Sequence, residues 1–145
     1  MKTCFQVNYQ TSFGGGEVYT RFACAALARL GWRTVLFVHR DAGFWDSLDM
    51  YGAELVRIST VAEIEAALPE RDALVLSHNV LDERTAADWS ARHRLAGILH
   101  MPLLERDPPG LAHYLRLFAV SQHVLDSARQ RGLGGLQRFL QVRNQ

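Results

Sequence analysis

Short apolar runs alternate along this chain with stretches whose apolar positions recur at helical spacing. The run Cys4 to Tyr9 predicts a first strand. Phe22, Cys24, Ala25, Leu27, Ala28 and Leu30 then mark one face of a helix from Val18 to Leu30, with Gly31 placed to close it. Thr34 to Val38 is almost continuously apolar, the pattern of a strand covered on both faces. A short helix is expected over Phe44 to Tyr51, a third strand over Glu54 to Ile58, and a helix over Val61 to Leu68 capped by Thr60. Ala73 to Leu76 repeats the buried-strand pattern, and a helix follows over Leu81 to Arg92. Leu95 to Leu99 and Leu117 to Val120 predict two further strands, the latter leading into a helix from Gln122 to Gln130.

Strands alternating with helices, and strands apolar on both faces, imply a parallel sheet covered on both sides. Right-handed crossovers then give an α/β, doubly wound, mostly parallel sheet of the Rossmann-like kind. Ligands of such sheets gather beyond the carboxyl ends of the strands. Asn8, Tyr9 and Gln10 lie there, as do His39, Ser77, His78, Asn79, His100 and His123. Four histidines (His39, His78, His100 and His123) are thus expected near one crevice.

The run Gly14-Gly15-Gly16-Glu17 stands between the first strand and the first helix. Glycines let the backbone turn sharply and carry no Cβ to hold a ligand away. The helix that follows directs unpaired N–H groups and its positive dipole end at whatever lies above, as a phosphate or another oxygen-rich anion requires.

Composition narrows the choice. A net charge of +1 over 145 residues gives no bulk field for nucleic acid. No run is apolar and long enough to predict a transmembrane segment. Cys4 and Cys24 lack metal-ligand spacing and read as buried free thiols of a reducing compartment, with the cytoplasmic location that this implies. A nicotinamide fingerprint would need a glycine where Tyr19 stands and an acidic residue closing the second strand, which ends instead at Val38-His39-Arg40. The phosphate-loop lysine motif is absent too. Trp32, Trp45 and Trp89 read as packing residues, and Glu105 to Gly110 as an exposed connection.

Read in order, several segments resemble the amino-terminal domain of GT-B glycosyltransferases of the retaining, family-4-like group. They are the opening strand, Gly14-Gly15-Gly16-Glu17 with its helix, Leu30-Gly31-Trp32-Arg33, Asp72 to Asn79, Gly97-Ile98-Leu99-His100, Ala119-Val120-Ser121 and Arg131-Gly132. The resemblance implies an acceptor-side domain over residues 1–132, followed by a tail over 133–145 with an altered or truncated end. It implies transfer of a sugar from a nucleotide-sugar donor to a sugar or other hydroxyl acceptor, with neither cofactor nor metal. Gly15 and Gly16 would face the donor's phosphates or its sugar. His100 would act at the reacting sugar as the catalytic histidine, while His78 and Asn79 would hold the acceptor. The family's paired glutamates, seven residues apart in a second domain, have no counterpart, since Glu63 and Glu70 lie in the wrong half. A donor-binding domain or partner chain is therefore expected, with little transfer by this chain alone. The alternative is a non-catalytic binding or assembly module of the same fold that pairs with another chain.

Overall fold

Alternation along the central strands decides the architecture. In a computed structural model describing residues 2–100, 109–130 and 137–138, strand β1 (Thr3–Asn8) leads into helix α1 (Gly15–Arg29) and strand β2 (Arg33–His39). A 3-10 turn at Gly43–Ser47 precedes strand β3 (Glu54–Ile58), helix α2 (Val61–Ala67) and strand β4 (Leu74–Ser77). Helix α3 (Glu83–Arg92), strand β5 (Arg94–Leu99), a second 3-10 turn at Pro109–His113, strand β6 (Arg116–Ala119) and helix α4 (Gln122–Gln130) follow. A two-residue strand, β7 (Gln137–Arg138), pairs with Phe118 and Ala119. The order is β3-β2-β1-β4-β5-β6-β7 with every pairing parallel. The fold is the expected doubly wound, Rossmann-like α/β sheet.

Successive side chains of each strand feed different cores. Val7, Val35, Phe37, Val75 and Leu95 point to the side covered by Ile64 and Leu68 at α2 and by Ala86 and Trp89 of α3. Leu36 and Val38 point the other way, onto Cys24 of α1 and the Ala42–Trp45–Met50 segment. This explains the unbroken apolar run of β2. Fully burying each such large side chain contributes about 1.5–3 kcal/mol. Trp45 and Trp89 are packing residues, as expected. A third cluster joins Leu99, Leu117 and Ala119 to Val124, Leu125 and Ala128 of α4.

The ends of α1 show local chemistry at work. Gly31, at φ 79°, follows the helix, and Gly31 and Trp32 donate back to the carbonyls of Ala28 and Leu27 at 3.0 and 2.9 Å. Both terminal carbonyls are thereby satisfied, as the glycine cap requires. The other end differs from expectation. The helix begins at Gly15, three residues early, with Gly14 as its N-cap. Glycine's low helix propensity hides a first turn that Glu17 favours electrostatically.

Other boundaries shift for identifiable reasons. The expected Phe44 to Tyr51 helix is only the Gly43–Ser47 turn, because Leu48 is extended and Tyr51 and Gly52 adopt left-handed backbone to enter β3. Helix α3 starts after Asp82, whose carboxylate accepts the Thr85 N–H at 2.8 Å. Of the connection expected to be exposed, residues 105–108 lie outside the described residues. Gly110 is buried instead, in a gap where a Cβ would fall 3.0 Å from the Leu81 carbonyl. Apart from β7, the tail over 133–145 lies outside the described residues, as does Gly132. Among the described residues, no helix is long and apolar enough to cross a membrane.

Candidate functional site

The sheet changes direction between β1 and β4, since β1 feeds β2 on one side while β4 continues to β5 on the other. Ligand crevices form where strand order reverses in this way. A crevice of about 620 Å³ opens there, walled by the end of β1, the start of α1 and the residues after β4 and β5. Gly16, His78, Asn79 and His100 all line it. Gly15 lies in the same first helical turn.

Two side chains hold this wall in register. The Asn8 amide donates to Glu17 Oε2 at 3.1 Å and to Thr20 Oγ1 at 2.9 Å, and its oxygen accepts the Gln10 N–H at 3.2 Å. Thr20 in turn donates to the Gly16 carbonyl at 2.8 Å. Asn79 Oδ1 accepts the Tyr9 N–H at 2.9 Å, and Ser77 Oγ donates to the Asn79 carbonyl at 2.8 Å. Neighbouring strand ends are thus tied together just where β-pairing stops.

Gly16 lies against the His100 imidazole. A Cβ there would stand 3.8 Å from its Cγ and Cδ2, an ordinary van der Waals contact. Tyr19 flanks the same ring, with centroids 5.8 Å apart. First-turn amides have no intrahelical acceptor, and Gly14 has no side chain with which to cap them.

A buried hydrogen-bonded line runs beneath the crevice. Gln6 Nε2 donates to Cys24 Sγ at 3.3 Å, Gln6 Oε1 lies 2.8 Å from His78 Nε2, and His78 Nδ1 lies 3.1 Å from His100 Nε2. Burial, followed by the neighbouring His100, pushes the His78 imidazole well below its ordinary range. Burial also holds His100 at about 4. Both rings are therefore neutral near neutral pH. His100 Nδ1 is buried and has no hydrogen-bond partner among the described residues.

Of the four histidines expected near one crevice, His78 and His100 line it. His39 and His123 do not. His39 ends β2, outside the switch point, where its Nδ1 accepts the Asp41 N–H at 3.0 Å. His123 is exposed in the first turn of α4. Gln6 and Thr20 were hidden in the sequence, one inside an apolar strand and the other inside a helix. Among the described residues, no three His, Cys, Asp or Glu side chains are grouped to hold a metal ion. Cys4 and Cys24 are free and buried, with burial pushing both thiols up to about 12. Compared with protein-family models, curated proteins and solved structures, the chain matches none.

Proposed function

We propose that this chain is the acceptor-side domain of a retaining glycosyltransferase, acting with a donor-binding domain supplied by further sequence or by another chain. The observation that carries the reading is the apposition of Gly16 and His100. A helix start without side chains and a histidine after β5 pack side by side in the lining of a crevice at the topological switch point. This is the pairing that the resemblance of Gly14 to Glu17 and of Gly97 to His100 implies.

The chemistry follows from the transfer itself. A retaining transfer must stabilise a departing diphosphate and an oxocarbenium-like carbon, so preorganised dipoles matter more than a strong base. The first-turn amides of Gly15 and Gly16 supply such dipoles. A neutral His100 ring orients the reacting sugar without adding charge. Asn79, which lines the same crevice, is the residue assigned here to an acceptor hydroxyl. Both ring nitrogens of His78 are engaged within the protein, so its contribution passes through His100.

Calorimetric titration of the chain with UDP-glucose, GDP-mannose and simple sugars tests the reading. Binding of at least one nucleotide sugar, lost in Gly16→Val and weakened in His100→Ala, is expected. Absence of binding to a panel of nucleotide sugars and acceptors, with and without a candidate donor domain, overturns it.

A further inference from the structure

Exposed apolar side chains are ordinary when scattered and informative when they share a site. Six large hydrophobic side chains stand exposed among the described residues: Phe13, Phe22, Leu30, Tyr51, Val80 and Leu115. Two of the six, Phe13 and Val80, line the crevice at the switch point. They come from different loops, Phe13 from the connection between β1 and α1 and Val80 from that between β4 and α3. At 53% and 47% exposure, each keeps apolar surface in water where a ligand of the crevice would cover it.

Phe13 is exposed and yet braced. Its ring meets that of Phe44 edge to face, with centroids 5.5 Å apart and planes at 77°, a favourable aromatic geometry. Phe44 is itself anchored. It belongs to the Gly43–Ser47 turn, lies 5.1 Å from the buried Trp45 ring, and packs against the cluster of Cys24, Leu36 and Val38. The Phe13 ring is thus supported by a partner fixed to the core, with more than half of its surface open. A ring held in place beforehand lowers the ordering cost of binding against it.

The charge of the lining narrows the ligand further. None of the described lining residues is Lys or Arg, and the buried Glu17 is among them. A phosphorylated acceptor finds no cationic side chain there to pair with. Gln10, Ser12 and Asn79 supply neutral groups able to bond hydroxyls. We propose that Phe13 and Val80 give the crevice an apolar subsite, with Phe13 as its stacking platform, that selects a neutral hydroxyl acceptor carrying a flat aromatic ring. This rests on the acceptor-side reading above and deepens it by naming the acceptor's class. The base of a nucleotide also has a flat face, so the test separates the two sources.

Calorimetric titration of the chain with phenyl β-D-glucopyranoside and methyl β-D-glucopyranoside isolates the contribution of the ring. The phenyl glucoside is expected to bind about tenfold more tightly, the upper range for one aromatic pair. Phe13→Ala removes that preference and Phe13→Tyr, which keeps the ring, retains it. Thermal melts of both variants stay close to wild type, because the side chain is largely in solvent. Val80→Ser reduces the preference in part. Equal binding of the two glucosides, absence of binding by both, or a preference that survives in Phe13→Ala overturns the proposal. Tighter binding of glucose 6-phosphate than of the phenyl glucoside overturns it as well. Uridine binding that is equally lost in Phe13→Ala gives the platform to a nucleobase and overturns the acceptor assignment. If the phenyl preference holds but no nucleotide sugar binds, with or without a donor domain, the transfer reading fails while the platform stands.

Discussion

The ring of Tyr114 lies against the backbone of Gly97 in the space that any side chain there would occupy. A Cβ at residue 97 would fall 2.5 Å from Tyr114 Cε2 and 2.8 Å from Cδ2. Gly97 sits mid-strand in β5, paired with Ser77 and Leu117, so its backbone cannot withdraw. Tyr114 is also tied down, because its hydroxyl accepts the Leu81 N–H at 3.4 Å and burial pushes the phenol up to about 12. Gly97→Ala is therefore expected to displace the ring and destabilise the chain by about 1–3 kcal/mol, as overpacking does. Urea unfolding measures it, and a wild-type midpoint would show that the ring yields freely.

Gly16 predicts the opposite balance. A Cβ there makes only ordinary contact with His100 at 3.8 Å, and the position is helical. Gly16→Ala should leave stability unchanged or raise it by up to about 1 kcal/mol, since alanine loses less backbone freedom on folding. Gly16→Val brings branched bulk onto the ring and should abolish ligand binding while the chain remains folded. Thermal melts and titration calorimetry separate the two effects. Loss of folding in Gly16→Ala would contradict the geometry.

His78, His93 and His100, each lowered chiefly by burial, make stability depend on pH with a definite sign. His100 drops from an ordinary 6.5 to about 4 in the folded chain, and His78 is lowered as well, both chiefly by burial. Below pH 6.5 the unfolded chain binds protons that the folded chain refuses. Stability is thus fully present above about pH 6.5 and falls as pH drops toward 4, by on the order of 3 kcal/mol for a shift of this size. Asp82 and Glu63 are lowered from carboxylate values by their hydrogen bonds to nearby backbone N–H groups, so their contributions fade only at still lower pH. Denaturation midpoints at pH 7.5, 5.5 and 4.5 should fall steadily. His100→Asn should flatten the upper part of that slope.

Asp82 caps α3, accepting from both the N–H and the hydroxyl of Thr85 at 2.8 and 3.0 Å. Asp82→Ala should cost about 1 kcal/mol, and Asp82→Asn clearly less, because asparagine caps nearly as well. Equal losses in the two variants would point to charge rather than to the cap.

How far the sequence reached depends on how local each determinant is. The alternation of Val35, Leu36, Phe37 and Val38 is written into consecutive residues, and it announced a strand buried on both faces. Gly31 likewise ends α1 through bonds within one turn. Gln6 could not be read this way. Its meaning lies in His78, 72 residues on, and nothing in an apolar strand marks one polar side chain as the support of a distant imidazole. The glycine run was legible as a site feature, but its helical state was not, because Gly15 and Gly16 oppose helix formation intrinsically and tertiary context overrides them. The separation of His39 and His123 from His78 and His100 follows from strand order, which chain order alone does not display.

That strand order also governs when the site comes into being. β1 waits for β4 across the whole of β2, β3 and α2, and the Tyr9–Asn79 bond that closes the crevice spans 70 residues. Such distant parallel pairing is slow to form, because loop closure must precede any reward from contact. The glycine turn is complete within the first thirty residues of synthesis, but the imidazole it packs against arrives only with β5. A chain halted before Asp72 holds one part of the lining without the other. Formation of the His78–His100 pair is therefore a natural marker that β4 and β5 have joined β1, ahead of β6 and α4.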